Sequence, residues 1–278
     1  MDVVALTRGV SPAIGRCELS FLERRPIDLA RAEAQHGRYC EALASLGLEL
    51  VALPGDARFP DCCFVEDAAV VLDEVALITR PGAPSRRGET DAVADALAPY
   101  RPLVRLAEPA TLDGGDVLHV GRRLFAGRTA RTNPGGIDAL RAAAEPYGYS
   151  VTAVDVTGCL HLKSAVTALD PETVLIHPDW LDRAPLRALE QVCVPPEEPL
   201  AANVLALGRH VVAHAGFART LDLLARRGFE VVPVDVSEFL EAEAGVTCKS
   251  LIFRGTRSDA RASAASGRGV LQPAQPRA

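Results

Sequence analysis

Five times along the chain a polar or thiol residue stands at the entrance to an apolar strand: Glu66-Asp67, Asp113 with Asp116, His161, Asn203 and Cys248. Each entrance opens onto the same order of segments, an apolar hairpin, a helical stretch and a return strand. Ala68 to Arg80 holds two apolar runs broken by Asp73-Glu74, followed by a helical pattern from Ser85 to Leu97 and a short strand from Leu103 to Leu106. Val117 to Gly127 repeats the hairpin across Gly121-Arg122-Arg123, with a helix after Asn133-Pro134 and a strand from Ser150 to Val156. The third hairpin, Ala165 to His177, turns at Asp170-Pro171-Glu172, and the pattern predicts a helix over Trp180 to Glu190 and a strand over Gln191 to Val194. The fourth runs from Val204 to His214 about Gly208-Arg209, with a helix from Phe217 to Arg227 and a strand from Phe229 to Val234. A fifth is shared between the ends of the chain. Ser250 to Phe253 is its first strand, and Val3 to Thr7, a helix from Asp28 to Leu46 and a strand from Leu48 to Leu53 complete it.

One such unit cannot bury its apolar face alone, so a period of a few tens of residues signals a repeat or propeller-like architecture. Arranged about a pseudo-fivefold axis, equivalent positions lie at equivalent heights, and the entrance residues converge on one mouth. Thiol, imidazole and carboxylate then share a pocket that sequence distance alone would never bring together. The run of similar units favours a single domain over residues 1–254, with residues 255–278, rich in Ala, Ser, Gly, Arg and Pro, as a disordered tail.

Charge narrows the partners. A net charge of -6 with scattered Lys and Arg argues against nucleic acid and suits a cationic small-molecule substrate. No apolar stretch approaches the ~20 residues that span a bilayer, and Met1 to Thr7 leads into a core strand, so no membrane partner and a cytoplasmic location are expected. Seven cysteines at irregular spacing read as reduced thiols. Metal-binding spacings and phosphate-binding glycine loops are missing from the sequence, so neither a metal nor a cofactor is expected. A homodimer is left open.

Most cysteines are small core residues. Cys40 falls in a helix, Cys193 in a return strand, Cys17 in a loop, and Cys62, Cys63 and Cys159 precede their entrances by several residues. Cys248 alone occupies an entrance, after Gly245-Val246-Thr247. Of six histidines, His36 is expected on a solvent-facing helix surface, and only His161, in Leu160-His161-Leu162-Lys163, stands at an entrance. Its leucine neighbours would bury it as a structural residue were it not for the ring geometry. Asp113 and Asp116 flank Gly114-Gly115, a turn that can hold one carboxylate against an imidazole while the other bonds the turn's own backbone. Asp61, Glu66 and Asp67 are interleaved with Phe59, Cys62, Cys63, Phe64 and Val65, so the cluster is not wholly exposed, and buried carboxylates need a cation. A guanidinium or amine ligand meets that need, and Arg86 and Arg131 can hold an acid group at its other end.

These residues sit in recognisable strings: Phe59-Pro60-Asp61 with Phe64-Val65-Glu66-Asp67, Ile78-Thr79-Arg80-Pro81-Gly82-Ala83-Pro84-Ser85-Arg86-Arg87, Thr111-Leu112-Asp113-Gly114-Gly115-Asp116-Val117, Ala130-Arg131-Thr132-Asn133, Leu160-His161-Leu162-Lys163, Ala201-Ala202-Asn203 and Thr247-Cys248. From Met1 to about Arg254 the chain resembles the dimethylarginine dimethylaminohydrolases. The resemblance implies a five-bladed pseudo-symmetric α/β propeller of ββαβ units, closed by the N- and C-terminal segments. It implies Cys248 as nucleophile, His161 as general acid and base, and Asp113 as the acid that orients the imidazole. It also implies a substrate-binding set of Asp61, Phe64, Glu66 and Asp67 at the cationic groups, Arg86 and Arg131 at the α-carboxylate, and Leu19 in a lid. The implied reaction converts Nω,Nω-dimethyl-L-arginine or Nω-monomethyl-L-arginine to L-citrulline and the methylated amine through a cysteine thiouronium. An arginine deiminase-like hydrolase and a non-catalytic arginine-binding module are the alternatives. One departure concerns the pocket wall: Glu243-Ala244-Gly245 stands where family members carry Asp-Gly.

Overall fold

Two of the predicted hairpins turn where glycine permits the tight reversal. Gly121 and Gly208, the expected turn residues, adopt φ +61° and φ +63°, a region that side chains with a Cβ avoid. In the computed structural model, which describes residues 2–255, they sit in two of five three-stranded sheets. Apart from Gly255, the expected tail lies outside the described residues.

Each sheet pairs two strands antiparallel and adds a third parallel to the second. The sheet built from both ends contains β1 (Val3–Arg8), β2 (Glu49–Leu53) and β15 (Ser250–Arg254), in the order β15-β1-β2. Next come β3 (Ala69–Val71), β4 (Ala76–Ile78) and β5 (Leu103–Arg105), then β6 (Val117–Val120), β7 (Arg123–Arg128) and β8 (Ser150–Asp155). The remaining two are β9 (Val166–Ala168), β10 (Thr173–Ile176) and β11 (Glu190–Cys193), and β12 (Leu205–Leu207), β13 (His210–His214) and β14 (Glu230–Val234).

Helices make the crossover to the third strand in four units, at Leu29–Ser45, Thr90–Leu97, Pro134–Ala144 and Ala218–Arg226. Local chemistry sets their starts. Asp28 accepts from Arg31 N, and Asn133 accepts from Gly136 N ahead of a proline in the first turn. The third unit differs from expectation, since only a 3-10 turn, Ala184–Leu186, occupies the span read as helix. Pro185 lacks the amide an interior turn would need, so it sits at the start of a turn that goes no further.

Apolar side chains are buried both within units, beneath their helices, and between successive units. Val4, Leu6, Leu251 and Phe253 of the terminal sheet pack with Ile78, Val93 and Leu97 of the next unit. Leu77 meets Leu124 and Leu140, Leu118 and Phe125 meet Val166 and Ile176, Leu175 meets Val211 and Leu224, and Val212 meets Ala5 and Tyr39. The first strand of every unit faces a central cavity of about 300 Å³, lined by Val70, Leu118, Thr167, Leu205 and Leu251 among others. Among the described residues no helix is long and apolar enough to cross a membrane.

Each entrance proves to be a helical turn, a feature the sequence patterns did not reveal. The turns span Val65–Ala68, Gly114–Asp116, Leu162–Ala165, Pro199–Ala202 and Thr247–Lys249. They pack closely at the axis: a Cβ on Gly114 would lie 2.0 Å from the Glu66 carbonyl oxygen and 2.9 Å from that of Ala69. Both obstacles are backbone, so Gly114→Ala should lower the unfolding free energy by about 1–3 kcal/mol, as an overpacked core does. Urea unfolding measures this, and an unchanged midpoint would contradict the packing.

Candidate active site

The five turns are joined by a ring of hydrogen bonds. Gly115 N donates to Asp67 Oδ1 (2.9 Å), Leu162 N to Asp116 Oδ1 (2.9 Å), and Asn203 Nδ2 to Lys163 O (2.9 Å). Thr247 N then donates to Asn203 Oδ1 (3.0 Å), and Thr247 Oγ1 closes the circle onto Glu66 Oε2 (2.8 Å). Each unit's entrance residue thereby fixes its neighbour's turn. This corrects one expectation: the Asp116 carboxylate does not bond its own turn, but takes Leu162 N and the Thr129 and Thr132 hydroxyls, at 2.7 and 2.6 Å. Burial lifts the Asp116 carboxyl to about 6 against the opposing pull of His161 and these hydroxyls.

Around this ring Cys248, His161, Asp67, Asp61, Phe64, Arg86 and Arg131 line one pocket with Glu18, Leu160, Ala242, Glu243 and Ala244. His161 is buried, and its Nε2 donates to Asp113 Oδ2 (3.0 Å), with Asp67 Oδ1 at 3.9 Å. Burial by itself would lower the imidazole's pKa, but Asp67, Asp116 and Asp113 outweigh it and raise it to about 9. Burial pushes the Cys248 thiol up to about 12, with Glu66 and Asp67 adding to the effect. The resting pair is therefore a neutral thiol and an imidazolium.

Asp67 is the pivot of the charges. Burial opposes its ionisation, yet His161, Arg86 and the Gly115 amide hold it well below the usual carboxylate range. Asp61 takes the Glu18 amide on both oxygens (3.2 and 3.1 Å), and burial raises its pKa. Arg131 is buried; its Nη2 reaches Ser20 Oγ (3.3 Å), while Nη1 has no hydrogen-bond partner and lies 3.9 Å from Asp113.

Four other residues are placed differently from expectation. Arg86 is buried and already engaged by Asp67 (2.6 Å) and Glu89 (3.0 Å), so its fork is directed at protein carboxylates. Glu66 turns away from the pocket toward the central cavity, where Lys163 Nζ pairs with it at 2.7 Å. Leu19 packs on the core beneath the loop, and the neighbouring Glu18 lines the pocket instead. His36, expected at the surface, is buried near Phe239 because its helix face turns inward.

Sequence reasoning also passed over Glu89, Lys163 and Glu243. The i,i+3 spacing from Arg86 signalled Glu89, and the departure at Glu243-Ala244-Gly245 signalled Glu243. Glu243 adopts φ +56°, and its carboxylate collects the amides of Ser20 (3.0 Å), Phe21 (2.5 Å) and Leu22 (2.6 Å). It latches that loop over the pocket, in which about 20 Å³ is free, room for about one water.

The propeller and the make-up of its mouth place the chain in the guanidine-modifying class of α/β propellers. No family model matches the chain. It is 44% identical over 251 residues to the N(G),N(G)-dimethylarginine dimethylaminohydrolase of Streptomyces coelicolor, covering 90% of this chain and 96% of that protein. To the enzyme of the same name from Pseudomonas aeruginosa it is 36% identical over 228 residues, covering 81% and 90%. A solved structure of the Pseudomonas aeruginosa protein, a cysteine-to-serine mutant complexed with citrulline, superposes with a TM-score of 0.87 at 32% identity, over 91% of this chain and 100% of that one. The chain belongs to the dimethylarginine dimethylaminohydrolase family.

Two outcomes follow from the geometry. Glu243→Ala should speed hydrogen exchange at Ser20, Phe21 and Leu22 roughly tenfold, since bonds to a charged acceptor are each worth more than neutral ones; unchanged exchange would mean that the loop is held by other contacts. The raised pKa of His161 adds stability that is complete below pH 6.5 and is lost as pH rises through about 9. The difference in unfolding free energy between parent and His161→Gln should accordingly narrow across that window, and a constant difference would argue against a charged imidazole.

Proposed function

We propose that the chain hydrolyses Nω,Nω-dimethyl-L-arginine, and its monomethyl analogue, to L-citrulline and the methylated amine. The observation that carries this reading is the meeting of Cys248, His161, Asp67 and Arg131 in one pocket. Family membership supports it, as does the citrulline held by the Pseudomonas aeruginosa relative.

A guanidinium is a resonance-stabilised cation and a poor electrophile, so its hydrolysis calls for a strong nucleophile and a held cation. Asp67 and Asp61 supply negative charge to the bound guanidinium and amine, and Leu160, Ala242 and Ala244 give N-methyl groups an apolar wall. Arg131 Nη1 gains a partner in the substrate's α-carboxylate. The free volume is too small for an arginine, so the Ser20 to Leu22 loop swings aside for entry.

With the substrate cation beside the sulfur, the field that holds the thiol neutral is offset, the thiol gives its proton to water and the thiolate forms. Sulfur attacks the guanidinium carbon, and the electron pair of the broken π bond goes to nitrogen. The His161 imidazolium, held by Asp113, gives its proton to the methylated nitrogen, which leaves as the amine. His161, now neutral, takes a proton from water, whose oxygen adds to the thiouronium carbon. Collapse expels the Cys248 thiolate, which takes the proton of the adduct's hydroxyl as its carbonyl forms, and citrulline is released. Lys163 takes no part at the reacting atoms on this reading. Its ion pair with Glu66 lies in the wall of the central cavity.

Product analysis tests the assignment. Incubation with asymmetric dimethylarginine should yield citrulline and dimethylamine in equal amounts, and Cys248→Ser should reduce the rate by several orders of magnitude. Near-native citrulline release by Cys248→Ser would sink the nucleophile, and conversion of arginine in preference to its methylated forms would sink the substrate.

A further inference from the structure

The residue after the proposed nucleophile is a lysine with no exposure to solvent. Lys249 Nζ points into the protein between the rings of Tyr39 (4.9 Å) and Phe239 (5.0 Å) and donates one hydrogen bond, to Gly245 O at 2.5 Å. Among the described residues no carboxylate forms an ion pair with it. A buried ammonium without a counter-carboxylate is costly, and two aromatic faces offset only part of that cost.

Its surroundings indicate what the charge acts on. The charged and titratable groups facing it are Glu66 and Cys63 beside the first turn, His36, Tyr39 and Cys40 on the Leu29–Ser45 helix, His214 on β13, and Cys248 next to it. Gly245, which accepts from Nζ, also turns its backbone N–H to the Cys248 sulfur. Gly245 is packed closely against Asn203, whose Oδ1 would lie 2.3 Å from a Cβ there, and Asn203 in turn holds Thr247 N at 3.0 Å. The ammonium thus braces the segment that carries the sulfur. It also places a positive charge on the protein side of that sulfur, against the negative field of Glu66 and Asp67.

We propose that Lys249 is a positioning residue for the reaction: it fixes the Gly245 to Cys248 turn, and its charge offsets the carboxylate field at the sulfur so that the thiolate can form. The inference rests on Cys248 being the nucleophile. Burial brings the Lys249 ammonium down to about 8, so the assistance is present below that pH and fades above it.

The test is the rate of Cys248 alkylation by iodoacetamide as a function of pH, with the modified residue identified by mass spectrometry. It compares the unliganded parent with Lys249→Met, which keeps the length of the side chain. Below pH 8 the variant should react roughly tenfold more slowly, the equivalent of about one pH unit in the thiol. The two rates should converge above pH 9, where the parent's lysine is neutral. A side chain that only filled space would give a ratio independent of pH. Thermal melting checks that the variant is folded, and Lys249→Gln, which can still donate to Gly245 O without the charge, is the second variant should methionine not be accommodated. Superimposable profiles, or a slower rate that does not depend on pH, overturn the proposal. Near-native turnover of asymmetric dimethylarginine by Cys248→Ser would overturn the nucleophile itself, a result distinguishable from failure of the lysine alone.

Discussion

The closed ring of hydrogen bonds through Asp67, Asp116, Lys163, Asn203, Thr247 and Glu66 is the constraint on which the site depends. Every unit buries its apolar face against the next, but burial is non-directional and does not by itself orient the polar groups of the turns. The ring sets that orientation at the mouth, because each bond ties one unit's turn to its neighbour's. Antiparallel pairing of β1 with β15 joins the two ends of the described chain and lets the circle close.

Closure brings a charge problem with it. Asp67, Asp113, Asp116 and Asp61 are all buried within one mouth, and a buried carboxylate without a partner is expensive. The structure meets this by interleaving cations with anions. Arg86 lies between Asp67 and Glu89, the His161 imidazolium lies between Asp67 and Asp113, and Lys163 faces Glu66. Burial, and then the charge of Glu66 and Asp67, keeps the Cys248 thiol protonated at rest, and on the proposed function the cationic substrate is the trigger of its ionisation. Activation and recognition are then one electrostatic event.

Much of the fold was legible because its signals are local. Hairpin turns at Gly121 and Gly208, the caps at Asp28 and Asn133, and alternating apolar runs depend on residues a few positions apart. The third crossover, read as a helix over Trp180 to Glu190, contains Pro185, and its missing amide confines the helical geometry to the short turn Ala184–Leu186. The entrance turns were invisible because one turn of helix has no periodicity of its own and is held by side chains from another unit.

Sequence by itself determined the five-unit plan and which residue types crowd the mouth, since period and hydrophobicity are properties of the chain. Tertiary structure alone decided how each charge is used. Glu66 faces the cavity and Asp67 the pocket, although they are neighbours, because successive residues of a helical turn point in different directions. Arg86 is consumed by protein carboxylates while Arg131 keeps one buried nitrogen unpartnered, and Lys249 lies under the sulfur between two rings. Such assignments turn on distances of a few ångströms between residues as far apart in the chain as Thr247 and Glu66, 181 positions, and no spacing along the chain encodes them.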